Sequence, residues 1–401
     1  MSVASGSTTS VVPSWDHFGL YVHIPFCRTL CPYCDFYSVA KKRPAWTALT
    51  RALCAELHGR RVAFGERRVE SVYFGGGTPS LAPPHLFATL LAAAAKDFGL
   101  DSAAEITVEA NPGSVTRGWL DRLREIGVNR ISLGWQSTHD RILKTLGRGH
   151  TARQSRQAFD TARASGFDNV SIDLIFAVPD QLQGDLDEDL DAIVTLAPEH
   201  VSLYALTFHP GTDFDLRRRR GELRAVDEEL EVAMMDRIDA RLRPHGYDHY
   251  EVSNYARPGF RARHNYFYWT GAAYLGLGPA AHSFVQRDWR EGWRWENRHD
   301  VQQYLRAWPG SGKGLPQPAD PGIELVERLT SRQLFAERMM CGLRLREGVA
   351  LDEPSLVQHR PELDRGVAAA IQRDWLHTDG VRMAPTAAGL RHADALAELF
   401  F

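Results

Sequence analysis

The stretch Tyr21-Val-His-Ile-Pro-Phe-Cys27-Arg-Thr-Leu-Cys31-Pro-Tyr-Cys34-Asp-Phe-Tyr37 decides how the rest of the chain is read. Its three cysteines fall within eight residues, in a CxxxCxxC spacing. Residues 21–24 form an apolar, β-prone run that Pro25 ends. The thiols then share one tight loop and can converge on one metal centre. Soft thiolates select zinc or iron–sulfur. Three are one short of the four that close a structural zinc site or fully ligate an iron–sulfur cluster. A cluster held by three cysteines leaves one iron open to a second ligand. The competing reading is zinc held by these cysteines and His23. Against it, His23 precedes Cys27 by four residues and belongs to the strand.

The chain carries 5 cysteines, an odd number that argues against a disulfide framework. Cys54 falls in a helical pattern with the stripe Trp46, Leu49, Leu53, Leu57, and Cys341 sits beside Met339 and Met340. Both read as packing thiols. Across 401 residues, 47 Lys+Arg against 50 Asp+Glu leave a net charge of −3, which argues against a nucleic-acid partner. A 44% hydrophobic content excludes wholesale disorder. The length predicts two or three domains, or one barrel with an appendage. The longest apolar run, 86–95, is interrupted by Thr89 and stops at Lys96, so no membrane span is predicted. Residues 1–17 are small and polar, without a basic or apolar signal region, and read as a disordered leader of a cytoplasmic protein.

Short apolar runs alternate with amphipathic stretches. Strands are predicted at 20–24, 71–74, 105–109, 130–133, 170–175 and 200–206, and helices at 45–59, 84–98, 116–126, 141–146, 152–165 and 186–196. Six βα units in a row predict an α/β fold with a parallel sheet, open or curled into a partial barrel. Polar residues at the C-terminal strand ends are then the default site residues. Beyond about 215 the rhythm breaks. A four-arginine run at 217–220 reads as a solvated helix face or turn, and 225–242 as a long helix. The block Trp289, Trp293, Trp295, interleaved with Arg287, Arg290 and Arg294, reads as a packed edge over the active-site mouth. Residues 309–316 are a Gly/Pro/Ser loop. From about 325 the chain reads as helical, with a hairpin near 375–386, which suggests a winged-helix-like end. The division is leader 1–17, partial barrel 18–215, extension and linker 216–322, and C-terminal helical domain 323–401.

The cysteine segment, followed by Tyr73-Phe-Gly75-Gly76-Gly77-Thr78-Pro79-Ser80, resembles the radical S-adenosylmethionine (SAM) superfamily. More narrowly it is similar to the oxygen-independent coproporphyrinogen III oxidase group. The resemblance continues through Val108-Glu109-Ala-Asn-Pro-Gly113, Asn129-Arg-Ile-Ser-Leu-Gly134-Trp-Gln136, Leu146-Gly-Arg148, Ser171-Ile-Asp173 and Tyr250-Glu-Val-Ser-Asn-Tyr255. It implies a partial (β/α)6 barrel in which Cys27, Cys31 and Cys34 hold a [4Fe-4S] cluster whose open iron binds SAM. It further implies that Tyr21, Gly76, Gly77, Thr78, Glu109, Gln136 and Asp173 line the SAM site, and that Arg148 pairs with the SAM carboxylate.

Two branches of the group compete. The oxidases decarboxylate coproporphyrinogen III and carry a fourth cysteine two positions after the third; here that position is Phe36. They also carry a longer N-terminal segment than the twenty residues before Tyr21. The heme-chaperone (HemW-like) branch binds cluster, SAM and heme, and delivers heme to client proteins. Its HNxxYW motif is similar to His264-Asn265-Tyr-Phe-Tyr268-Trp269. The resemblance therefore implies a heme chaperone, with His264 and Phe36 among the cofactor-contacting residues and His209 and His282 as rival heme ligands. Heme, a client protein and an electron donor are the implied partners. No catalytic residue is assigned, and decarboxylation is disfavoured by Phe36.

Overall fold

The computed structural model describes residues 15–308 and 314–401; most of the predicted leader and of the 309–316 loop lie outside them. Six strands, β1 (His17–Ile24), β2 (Arg68–Gly76), β3 (Leu100–Ala110), β4 (Arg130–Gln136), β5 (Val170–Phe176) and β6 (His200–Ala205), pair in chain order and in parallel. Helices Trp46–Phe64, Pro84–Phe98, Arg117–Glu125, Ala152–Ala164 and Gln183–Leu196 lie between them, as parallel crossovers require. Local chemistry sets their ends. Thr116 accepts a hydrogen bond from the Trp119 amide, and Thr151 and Gln154 form a capping box.

Strand alternation separates two faces. Val22, Phe74, Val108, Ile131, Ile172 and Val201 join the main core with helix residues Leu53, Leu57, Leu86, Leu90, Leu120 and Ile193. The alternate positions are Tyr21, Tyr73, Glu109, Ser132, Asp173 and Ser202. A sheet polar on one face cannot bury that face in a second apolar layer, and here it borders a cavity.

Past residue 215 the βα rhythm breaks as expected, but strands that the sequence did not mark follow. Six further strands extend the same sheet. Beyond β6 come β7 (Asp248–Glu251) and β8 (Asn254–Ala256), with β8 antiparallel to β6. Beyond β1 come β9 (Tyr274–Leu277), parallel to β1, and then β10 (His282–Asp288), β11 (Glu291–Asn297) and β12 (Ile323–Thr330), each antiparallel to the one before. These strands are short or rich in Trp, Arg and Glu, so they lack the apolar runs that marked the first six. The chain from 325, expected to be helical, therefore begins inside a strand. The tryptophan–arginine block forms the β10–β11 hairpin. Trp295 is buried against Phe64, and Arg287 and Arg290 lie over Trp293 and Trp289. None of these residues lines the cavity, so the block is a packed sheet edge and not a rim of the mouth.

Helices Ser331–Gly342, Pro354–Gln358, Arg360–Gln372, Ala387–Arg391 and Ala393–Glu398 surround a small three-stranded sheet and share their own core of Phe335, Met339, Leu356, Leu363, Leu396 and Phe400. The expected hairpin forms from Leu376–Thr378 and Arg382–Pro385. Among the described residues no helix is long and apolar enough to cross a membrane.

Candidate functional site

The cysteine loop starts where β1 ends. Its base is closed by a two-residue ladder that pairs Phe26 with Val39 and Cys27 with Ala40. The Cys34 amide donates to the Cys31 carbonyl at 3.2 Å, turning the loop back on itself. Cys27, Cys31 and Cys34 all line one cavity of about 500 Å³ at the C-terminal ends of the parallel strands. Burial and the neighbouring Cys31 and Cys27 thiols push Cys34 up to about 11, and burial raises Cys27. Thiols so crowded resist ionisation until a cation balances them.

Among the described residues, no three His, Cys, Asp or Glu side chains stand close enough to hold a single metal ion. His23 is committed elsewhere. Its Nε2 lies 2.8 Å from the Tyr37 carbonyl and its Nδ1 3.0 Å from the Tyr21 hydroxyl. A carbonyl only accepts, so Nε2 carries the proton and the tyrosine donates to Nδ1. Burial lowers this imidazole to about 4. With His23 committed elsewhere, three thiols lining one cavity suit a multi-iron cluster with one open iron.

The end of β2 shows why glycine stands there. A Cβ on Gly76, whose φ is +105°, would lie 2.6 Å from the His23 ring. A Cβ on Gly77 would lie 2.9 Å from the Ile24 and Phe26 carbonyls and 3.0 Å from Cys27 Sγ. The Gly77 amide instead donates to the Ile24 carbonyl at 2.8 Å. Close approach to the cysteine strand, as well as to any ligand, requires these residues. Thr78 Oγ1 donates to Cys27 Sγ at 3.4 Å.

Across the cavity, Glu109 accepts from the Tyr73 hydroxyl at 2.8 Å and from the Gly76 amide at 3.2 Å. Burial raises its carboxyl to about 7 against those hydrogen bonds. Asp173, also raised by burial, accepts from Ser132 at 2.9 and 3.0 Å. Arg148 reaches the cavity from the segment after β4. Its Nη1 is 3.5 Å from Cys31 Sγ and 3.4 Å from the Tyr33 hydroxyl. Arg148 Nε and Gln136 Oε1 are buried without a protein partner among the described residues. Such orphaned polar atoms at a cavity wall are donors and acceptors for a ligand.

Phe36, Gly76, Gly77, Thr78, Glu109, Gln136, Arg148 and Asp173 thus all line the cavity with the three cysteines. Two expected residues do not. Tyr21 lies behind the wall, between His23 and Tyr73. His264 is sealed beneath it. Its Nδ1 is 2.8 Å from Ser71 Oγ, its Nε2 2.8 Å from the Tyr268 hydroxyl, and its ring stacks on Tyr73. His282, one rival, faces Glu296 on the outer hairpin. The sequence reading missed Tyr73, Arg130, Ser132, His200, Ser202 and Tyr204 in the lining. Their signal was alternation within single strands: Tyr73 stands two before Gly75, Arg130 and Ser132 alternate on β4, and His200, Ser202 and Tyr204 alternate on β6.

A radical SAM superfamily model matches residues 21–193. The chain is 36% identical over 383 residues to the heme chaperone HemW of Mycobacterium tuberculosis, covering 94% of this chain and 93% of that one. The chain belongs to the HemW-like group of the radical SAM superfamily. It is likewise 35% identical to the heme chaperone HemW of Lactococcus lactis, over 83% of each chain. Among solved structures, the Escherichia coli coproporphyrinogen III oxidase HemN superposes with a TM-score of 0.79 at 22% identity, over 97% of this chain and 91% of that one. That likeness establishes the radical SAM fold. Membership of the superfamily implies a [4Fe-4S] cluster and SAM.

Proposed function

We propose that this HemW-like chain is a cytoplasmic heme chaperone. It binds a [4Fe-4S] cluster on Cys27, Cys31 and Cys34, SAM at the open iron, and heme, which it passes to client proteins. In this reading Arg148 takes the SAM carboxylate as a fork. Glu109 and Asp173 accept its hydroxyl hydrogens, and Gln136, Gly76, Gly77 and Thr78 line its path. Tyr21 acts from behind the wall through His23. Residues 18–215 form the radical SAM half-barrel, 216–322 its extension and 323–401 a winged-helix-like domain. A bound cluster would draw its electron from a separate donor protein.

One observation carries the reading. The three cysteines open onto a cavity where the next candidate position holds Phe36, an exposed aromatic without metal-binding capacity. The HemW relatives support heme as the cargo. The alternative, oxidative decarboxylation of coproporphyrinogen III, draws its support from the likeness to HemN.

Anaerobic reconstitution followed by two assays tests it. The protein is expected to take up about four irons per chain, to bind hemin tightly, and to leave coproporphyrinogen III unchanged with SAM and reductant. Formation of protoporphyrinogen IX would overturn the chaperone reading.

A further inference from the structure

The histidines of the cavity divide cleanly. Among the described residues, His200 and His209 line it. His200 is saturated, with Nδ1 2.8 Å from Ser171 Oγ and Nε2 2.9 Å from the Tyr250 hydroxyl. His209 lies on the loop after β6, with its side chain 42% exposed. Its Nδ1 faces Asp35 Oδ2 at 3.2 Å. Its Nε2 makes no hydrogen bond among the described residues. A carboxylate beside one ring nitrogen favours the proton there and leaves the other lone pair free, the arrangement that stands behind metal-ligating histidines.

The pair is also held in place. The Phe214 amide donates to the Pro32 carbonyl at 3.0 Å, seating the His209 loop on the cysteine loop. Thr212 Oγ1 donates to the His209 carbonyl at 2.7 Å, fixing the turn. Phe36, next to Asp35, lines the same cavity and is 65% exposed. A flat apolar ring and a free imidazole nitrogen in the lining of one cavity suit a planar macrocycle with a central iron. The cavity of about 500 Å³ is taken up by cluster and SAM in the proposed reading, so a third and larger ligand would rest where His209 and Phe36 are exposed.

We propose that heme docks at the mouth of the cavity, with His209 Nε2 as an axial ligand, Asp35 behind that ligand and Phe36 against the macrocycle. The proposal rests on the heme-chaperone reading and names where its cargo sits. His264, with both ring nitrogens engaged inside the barrel, remains a packing group.

Hemin titration of the reconstituted full chain, followed by absorption and electron paramagnetic resonance, tests the assignment. His209→Ala is expected to weaken hemin by roughly tenfold or more and to shift the Soret band, with iron and sulfide content unchanged. Asp35→Asn should give a smaller loss. His209→Met should change the ligation signature, which a merely structural histidine would not. His264→Asn should keep the wild-type hemin spectrum. Wild-type affinity and spectrum in His209→Ala would overturn this assignment while leaving heme binding intact, as would loss of the hemin spectrum in His264→Asn. Absence of hemin binding by the wild type would overturn the heme reading itself.

Discussion

Tyr73 on β2 donates a 2.8 Å hydrogen bond to Glu109 on the neighbouring β3. This bond opposes the burial that lifts the Glu109 carboxyl to about 7. If ionised Glu109 accepts SAM hydroxyls, SAM affinity rises as the pH passes through about 7. Tyr73→Phe removes a bond worth about 0.5–1.5 kcal/mol, so the midpoint should move up by as much as about one pH unit. Calorimetric titration of SAM across that range measures it; an affinity flat with pH would separate Glu109 from SAM. Folding follows the opposite sense. The folded value lies above the unfolded 4.5, so the contribution of this group to stability is full below that value and lost as the pH rises through about 7.

Gly77→Ala should cost the cluster before it costs the fold. The new methyl group would meet two backbone carbonyls and Cys27 Sγ at 3.0 Å or less, and backbone cannot step aside. Iron and sulfide per chain after reconstitution should fall severalfold, while far-ultraviolet dichroism stays close to wild type. Full cluster content in the variant would show that the cysteine strand can shift freely.

Glu56 is the buried hub that ties the first helix to the C-terminal strands. It accepts from the Gly278 amide, Asn297 Nδ2 and the Tyr304 hydroxyl, with Arg60 beside it. Glu56→Ala strands three donors and removes the strongest charge opposite Arg60. A loss of about 3 kcal/mol is expected from such unsatisfied groups, read from urea unfolding. A loss below about 1 kcal/mol would mean that the donors find other partners.

His264 is lowered to about 3, first by burial and then by Arg130. The unfolded chain protonates this residue near 6.5 and the folded chain does not, so the wild type loses stability as the pH falls below 6.5. His264→Asn lacks that penalty. The deficit of the variant relative to wild type should therefore shrink on acidification, by about 1.4 kcal/mol per pH unit. Paired urea curves at pH 7 and 5 check this; a deficit that stays constant would mean that His264 is solvated or charged.

The half-barrel was legible because its strands and helices carry clean periods. The helix Pro84–Phe98 coincides with its expected bounds, whereas β3 starts at Leu100, five residues before the expectation, because its first turn of chain is partly exposed and polar. The strand-end rule pointed to the right end of the sheet, and the motifs of the family resemblance named the eleven expected residues that line one cavity there. The strands after 247 were not. Aromatic and charged residues on an outer sheet edge lose the apolar alternation that marks a half-buried strand. His264 was illegible for a different reason. An imidazole beside aromatics reads equally as a ligand or as packing, and its partner Ser71 lies 193 residues away.

The pairing of Tyr274–Leu277 alongside His17–Ile24 joins parts of the chain made at very different moments. In a nascent polypeptide Cys27, Cys31 and Cys34 are made long before the segment that flanks their supporting strand. Synthesis runs from the N-terminus and long-range pairing waits for both partners. A truncated product that stops before residue 274 would lack one of the two neighbours of the strand that leads into its sulfur donors.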